Sequence, residues 1–122
     1  VECRKCIAAL AVKGIHYDYL YLDLESDDKG DFTKSQASAV ILGYIDEMQL
    51  HGIFVKLRLY FNYNYLKNII DEVWRSFPIW LARYNSTMGD TFGANIVLWQ
   101  YTSTGRIAGI KGNVDISKEI AT

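Results

Sequence analysis

The chain has 122 residues, enough for one domain; half are apolar and 22% charged, a balance that excludes a disordered polymer. Its formal charge is -1, from 13 basic and 14 acidic residues, and no basic tract of five or more occurs, which argues against a nucleic-acid partner. No apolar run approaches the ~20 residues of a membrane span.

Taken in order, residues 1 to about 13 carry Cys6, Ile7, Leu10 and Ala11 at helical spacing, closed by Lys13-Gly14. Cys3 and Cys6 form a C-x-x-C pair, but there is no second pair, and His16 and His51 are not at ligand spacing. The spacing therefore predicts ordinary helix-face cysteines and no metal. The chain starts at Val1 without a methionine, inside that helical pattern. We expect its start to have been lost to processing or truncation.

Tyr17 to Glu25 alternates. Leu20, Leu22 and Leu24 share one parity; Tyr17, Tyr19, Tyr21, Asp23 and Glu25 share the other. A strand has a side-chain period of two, so one face is leucine and the other is tyrosine ending in two acids. Paired carboxylates repel, and folding alone gives no reason to place them together. They are candidates for acid–base chemistry, in which proximity and burial hold one carboxyl protonated beside an ionised one. The competing reading is a strand end that meets solvent. The polar run Asp27, Asp28 and Asp31 lacks the spaced oxygen ligands of a calcium loop and reads as a solvated loop.

A second helix is predicted from about 32 to 50, with Ala37, Val40, Ile41, Tyr44, Ile45 and Met48 on one stripe and His51-Gly52 at its end. A short strand follows at 53–57, then a third helix within 59–74 with Tyr65, Leu66, Ile69, Ile70 and Val73 at helical spacing. The only proline, Pro78, opens a strand running to Tyr84. Tyr84 shares parity with Trp80 and Ala82 and stands at the C-terminal end of that strand, where barrel sites sit. A strand at 95–102 follows, a turn at 103–105, and short strands at 106–110 and 113–116. Trp99 and Tyr101 share a parity; either could line a groove, though a core Trp is the plainer reading, and Gln100 stays open. Helices alternating with strands imply an α/β fold with parallel pairing, which the closing run of strands breaks. Nine tyrosines, five phenylalanines and three tryptophans suit a carbohydrate site, where rings face sugar CH groups.

Four segments in order resemble one family. Tyr21-Leu22-Asp23-Leu24-Glu25 resembles the Asp-x-Glu strand of glycoside hydrolase family 25, the Chalaropsis-type lysozymes. Gly52-Ile53-Phe54 is similar to its Gly-Ile-Tyr; Pro78-Ile79-Trp80-Leu81-Ala82-Arg83-Tyr84 resembles its Pro-Leu-Trp-x-Ala-x-Tyr strand. Leu98-Trp99-Gln100-Tyr101 through Gly105, then Gly109 to Asp115, resembles its terminal signature. The resemblance covers about residues 2 to 117. It implies a muramidase domain over 1–122, truncated at its N-terminus: a partial, irregular TIM-like β/α barrel, its first strands missing, ending in short antiparallel strands. The family's opening Asp-x-Ser strand has no counterpart here. The implied reaction is hydrolysis of the β-1,4 bond between N-acetylmuramic acid and N-acetylglucosamine in bacterial peptidoglycan, without cofactor or metal. Glu25 would be the general acid and Asp23 its electrostatic partner; Asp115, Tyr84, Tyr101 and Trp99 would contact the sugar. The place of action would be extracellular, at the bacterial wall, by secretion or phage lysis, with room for a wall-binding module elsewhere in the parent chain.

Two departures stand against this. Phe54 replaces a Tyr, and Val55-Lys56-Leu57-Arg58 is bulkier and more basic than a site-lining stretch should be. The alternative is a non-catalytic glycan-binding remnant, and the chain alone is expected to be inactive and poorly stable.

Overall fold

Alternation turns residues 20–23 into the first strand. The computed structural model describes residues 16–53 and 56–120, so the predicted first helix with Cys3 and Cys6, and also Phe54 and Val55, lie outside the described residues. Strand β1 runs Leu20–Asp23, shorter than the predicted 17–25, and Leu24 extends its pairing by donating to Tyr60 O at 2.9 Å. Leu22 and Leu24 are buried, and Tyr21 and Asp23 face the other way.

Helix α1, Lys34–Leu50, begins on a side-chain cap and ends on a backbone one. Thr33 Oγ1 accepts from Gln36 N (3.1 Å), and Gln36 Oε1 accepts from Thr33 N (2.9 Å). This capping box satisfies two otherwise orphaned donors. At the other end Gly52 takes φ +70°. Its N–H reaches Gln49 O at 3.0 Å, and that of Ile53 reaches Met48 O at 2.9 Å, the paired bonds of a Schellman cap that glycine adopts without strain. Ala37, Ile41 and Met48 are buried under the helix, with Val40, Tyr44 and Ile45 packed beside them.

The next element departs from expectation. Strand β2 is Leu57–Asn62, where a helix was predicted from 59. Leu57, Leu59 and Phe61 are buried and alternate with Arg58, Tyr60 and Asn62. The helical stripe begins only after it, in a π-helical turn at Tyr65–Ile69. Asn62 Oδ1 accepts from Tyr65 N at 2.9 Å and marks the change. Tyr65, Leu66, Ile69 and Ile70 are buried as their spacing predicts, whereas Val73 is 62% exposed and falls in a separate 3-10 turn, Glu72–Trp74.

Strand β3, Ile79–Ala82, follows Pro78; β4 spans Ile96–Gly105 and β5 Val114–Glu119. The predicted turn at 103–105 is instead the end of β4, and 106–110 is a loop rather than a strand. Gly105 pairs with Val114 and lies against Ile116; a Cβ at 105 would collide with that side chain. The sheet order is β1-β2-β3-β4-β5, parallel throughout except for the antiparallel β4–β5 pair. One face, carrying Leu22, Leu59, Phe61, Ile79 and Leu81, packs with α1 and the π-helical turn into the hydrophobic core. The other face carries the polar and aromatic residues described next.

Candidate active site

Five strands and the parity of their side chains build the site. On the face away from α1, Tyr21, Asp23 and Glu25 of the first strand and its extension meet Tyr60 of β2, Trp80 of β3, Gln100 of β4, and Asp115 and Ser117 of β5. They line a cleft of about 450 Å³. Strand register brings them level: Asp23 pairs with Tyr60, Tyr60 with Trp80, and Gln100 with Ser117. The parallel strands all present their C-terminal ends here, the end at which β/α barrels carry their sites.

Aromatic rings form the cleft wall. Trp80 packs edge-on against Tyr21 (5.4 Å between centroids) and Tyr60 (4.9 Å). Its Nε1 donates to Ser117 Oγ at 2.9 Å, which fixes the indole plane. Tyr60 OH donates to Gln100 Oε1 at 2.6 Å, and Gln100 Nε2 donates to Tyr84 OH at 3.1 Å.

The two acids differ in how firmly they hold a proton. Burial, the neighbouring Asp23 charge and a hydrogen bond to Asp23 all raise Glu25 above its ordinary 4.5. Asp23 is raised above 3.8 by burial, but its hydrogen bond with Glu25 pulls the other way. Both carboxyls are held above their ordinary range, and the hydrogen bond between them raises Glu25 while it lowers Asp23. Tyr60 and Tyr84 are raised too, first by burial; the charges of Asp115 and Glu25 also act on both.

Of the residues singled out from the sequence, Asp23, Glu25 and Asp115 come together in this cleft, and Tyr84 joins it through Gln100. Trp99 and Tyr101 do not. They flank Gln100 on β4 and project from the opposite face. There Trp99 is buried with its Nε1 donating to Arg83 O at 2.9 Å, and the two rings meet edge-on beneath Lys118. Tyr21, Tyr60, Trp80, Gln100 and Ser117 were not singled out. The signal for Tyr60 was available: the Leu57–Asn62 alternation is a strand signature, overridden by the helical spacing that follows. Of the basic stretch, Lys56 and Arg58 are not among the residues that line the cleft, but Arg58 borders it: its guanidinium donates to Tyr21 OH at 3.3 Å, and with Tyr21, Tyr19, Leu98 and Glu119 it lines an adjoining hollow of about 370 Å³. Because β2 begins at Leu57, its site end is Tyr60–Asn62. The acidic loop is a tight turn, in which Asp27 and Gly30 bridge and Asp27 Oδ1 accepts from Lys29 N at 2.8 Å. Among the described residues, no three metal-ligating side chains cluster, and no helix is long and apolar enough to cross a membrane.

The model of one family, Glycosyl hydrolases family 25, matches residues 7–110. The chain belongs to that family. No match to it was found among curated proteins. Solved structures of similar fold include the CTP1L endolysin (26% identity, TM-score 0.66, covering 91% of this chain and 38% of that one). The autolysin LytC of Streptococcus pneumoniae, in complex with a synthetic peptidoglycan ligand, gives 20% identity and a TM-score of 0.76 over 94% of this chain and 29% of its own. The spore cortex lytic enzyme SleM of Clostridium perfringens gives 18% and 0.77 over 97% and 43%. The family 25 chain thus spans less than half the length of each of these proteins. The five-stranded sheet is the corresponding part of their TIM-like barrel, an incomplete barrel with an α/β architecture.

Proposed function

We propose that this family 25 domain is a peptidoglycan hydrolase. It cleaves the β-1,4 bond between N-acetylmuramic acid and N-acetylglucosamine and acts outside the cell at the bacterial wall, on secretion or at phage lysis. The observation that carries the reading is the Asp23–Glu25 pair, two adjacent carboxyls both raised by burial, in an aromatic-walled cleft. Glycoside hydrolysis needs a proton for the leaving oxygen and negative charge near the cationic sugar. Glu25 holds the proton and is the general acid. Asp23 stays ionised; because a 2-acetamido sugar supplies its own nucleophile, Asp23 orients and stabilises rather than attacks. Trp80 and Tyr21 offer ring faces to the sugar, and Asp115 and Tyr84 its polar contacts.

Asp23 and Glu25 stand on the edge strand. Among the described residues no strand pairs with the outer edge of β1. We expect the 122-residue chain alone to be inactive or nearly so, and the full protein encoded by its gene is the form to assay.

The test is clearance of purified cell walls by that full protein. Lysis by wild type, with Glu25→Gln lowering the rate by about 10²- to 10⁴-fold, is the expected result. Absence of lysis, with wall pull-down retained equally by both forms, would replace hydrolysis by glycan binding.

A further inference from the structure

The tyrosines that lead into the acidic pair are answered by cations from the neighbouring strand. Lys56 Nζ lies 4.4 Å from the centre of the Tyr17 ring and donates to Tyr17 O at 2.9 Å. Two residues on, Arg58 Cζ lies 3.4 Å from the centre of the Tyr19 ring, and Arg58 Nη1 donates to Tyr21 OH at 3.3 Å. The strand register sets Arg58 level with Tyr21. Cross-strand contacts of this kind tie two strands together and fix the rings they touch. Of the three tyrosines only Tyr21 lines the cleft, and it also lines the hollow that holds Arg58. From the cleft side Trp80 packs edge-on against Tyr21, and Trp80 is itself anchored on Ser117. Tyr21 is thus held at its ring by Trp80 and at its hydroxyl by Arg58. Both holds come from β2 and β3, since among the described residues no strand flanks β1 on its other edge.

We infer that Arg58 is a positioning residue that holds Tyr21 in place as a sugar-facing wall of the cleft, so that the cation which looks out of place in the sequence supports glycan binding from behind that wall. Arg58 does not line the cleft and acts through Tyr21. A ring face meets sugar CH groups in the ground state and the transition state alike, so a misaligned Tyr21 weakens binding and leaves the chemical step nearly alone. For the identity of the glycan this rests on the hydrolase reading above; for the geometry it does not.

Arg58→Met tests this at little risk to the fold. The unbranched methionine stem still covers Tyr19, and the substitution removes Arg58 Nε, a buried donor without a hydrogen-bond partner. In the full protein, on soluble glycan fragments of purified walls, Arg58→Met is expected to raise KM about 3- to 10-fold with kcat within about twofold of wild type. Tyr21→Phe keeps the ring and removes the accepting oxygen; it gives the same rise, and the double variant gives no more than either. Lys56→Met deletes the neighbouring contact, which ends at Tyr17 outside the cleft, and leaves KM unchanged. An unchanged KM in Arg58→Met, a kcat loss larger than the KM rise, additive effects with Tyr21→Phe, or an equal rise in Lys56→Met overturns the inference even if wild type lyses walls. Dissociation constants for the same fragments, measured in the Glu25→Gln background, separate it from the hydrolase reading. The same pattern of weakening, beside a wild type that lyses nothing, sustains the role of Arg58 and removes hydrolysis. A protein that binds no glycan overturns both.

Discussion

Three separable causes raise Glu25: burial, the Asp23 charge and the hydrogen bond to Asp23. Asp23→Asn removes the charge and leaves only a neutral amide oxygen to accept the bond. A general acid works only while protonated, so activity falls as pH rises through its pKa. In wild type the alkaline limb of the pH–rate profile lies above the ordinary glutamate value of 4.5, and in Asp23→Asn whatever activity remains has that limb displaced to lower pH. A limb that stays in place would separate Asp23 from the proton on Glu25. The same pair bears on stability. Both carboxyls have folded pKa values raised above the unfolded ones, so the folded state binds more protons and stability falls as pH rises through the ordinary values of 3.8 and 4.5. Glu25→Gln and Asp23→Asn are expected to raise stability at neutral pH, by less than about 1 kcal/mol each because both groups meet solvent, and with it the melting temperature. The gain disappears below about pH 3.5, where wild type is protonated in both states. Thermal scans at pH 7 and pH 3 check both halves.

Helix α1 and strand β2 show where local rules hold and where they compete. Thr33 and Gln36 close the N-terminus of α1 reciprocally, so Thr33→Ala is expected to cost about 1 kcal/mol by urea unfolding. Met48 is fully buried and lends its carbonyl to the C-terminal cap; Met48→Ala removes core volume at about 2–5 kcal/mol while leaving that backbone bond in place. The ends and inner face of α1 were legible because caps and a helical stripe agree. At β2 two periods overlap. Leu57, Leu59 and Phe61 repeat every two residues, while Tyr65, Leu66, Ile69 and Ile70 repeat helically, and no Gly or Pro separates them. The stronger helical stripe, extended backward, hides the strand. Only Asn62, capping Tyr65 N, divides them, and an Asn inside a mixed run is a weak local sign. The misreading matters because Tyr60 lies within it.

At the scale of the molecule, the sheet ends on β1, whose outer edge has no partner among the described residues. An open edge of backbone donors and acceptors recruits other strands. The 122-residue chain is therefore expected to self-associate: sedimentation or light scattering should show concentration-dependent mass, and a sharp, concentration-independent monomer would contradict this. Parallel pairing broken by a closing run of strands was anticipated from the order of elements, as were the face of β1 that carries the acids and the ends of α1; that the closing run is one antiparallel strand was not. The anticipated features depend on residues close in sequence, whose period and caps act within a few positions. The cleft itself required the tertiary structure. Asp23, Tyr60, Gln100 and Asp115 meet because the strands settle into one register, Asp23 against Tyr60 and Gln100 against Ser117. Register follows from how whole faces pack against α1 and from how the loops reach, and no local pattern encodes it. A period of two told which side of its strand each residue takes; only the packed sheet decided that Gln100, and not Trp99 or Tyr101, stands beside the acids.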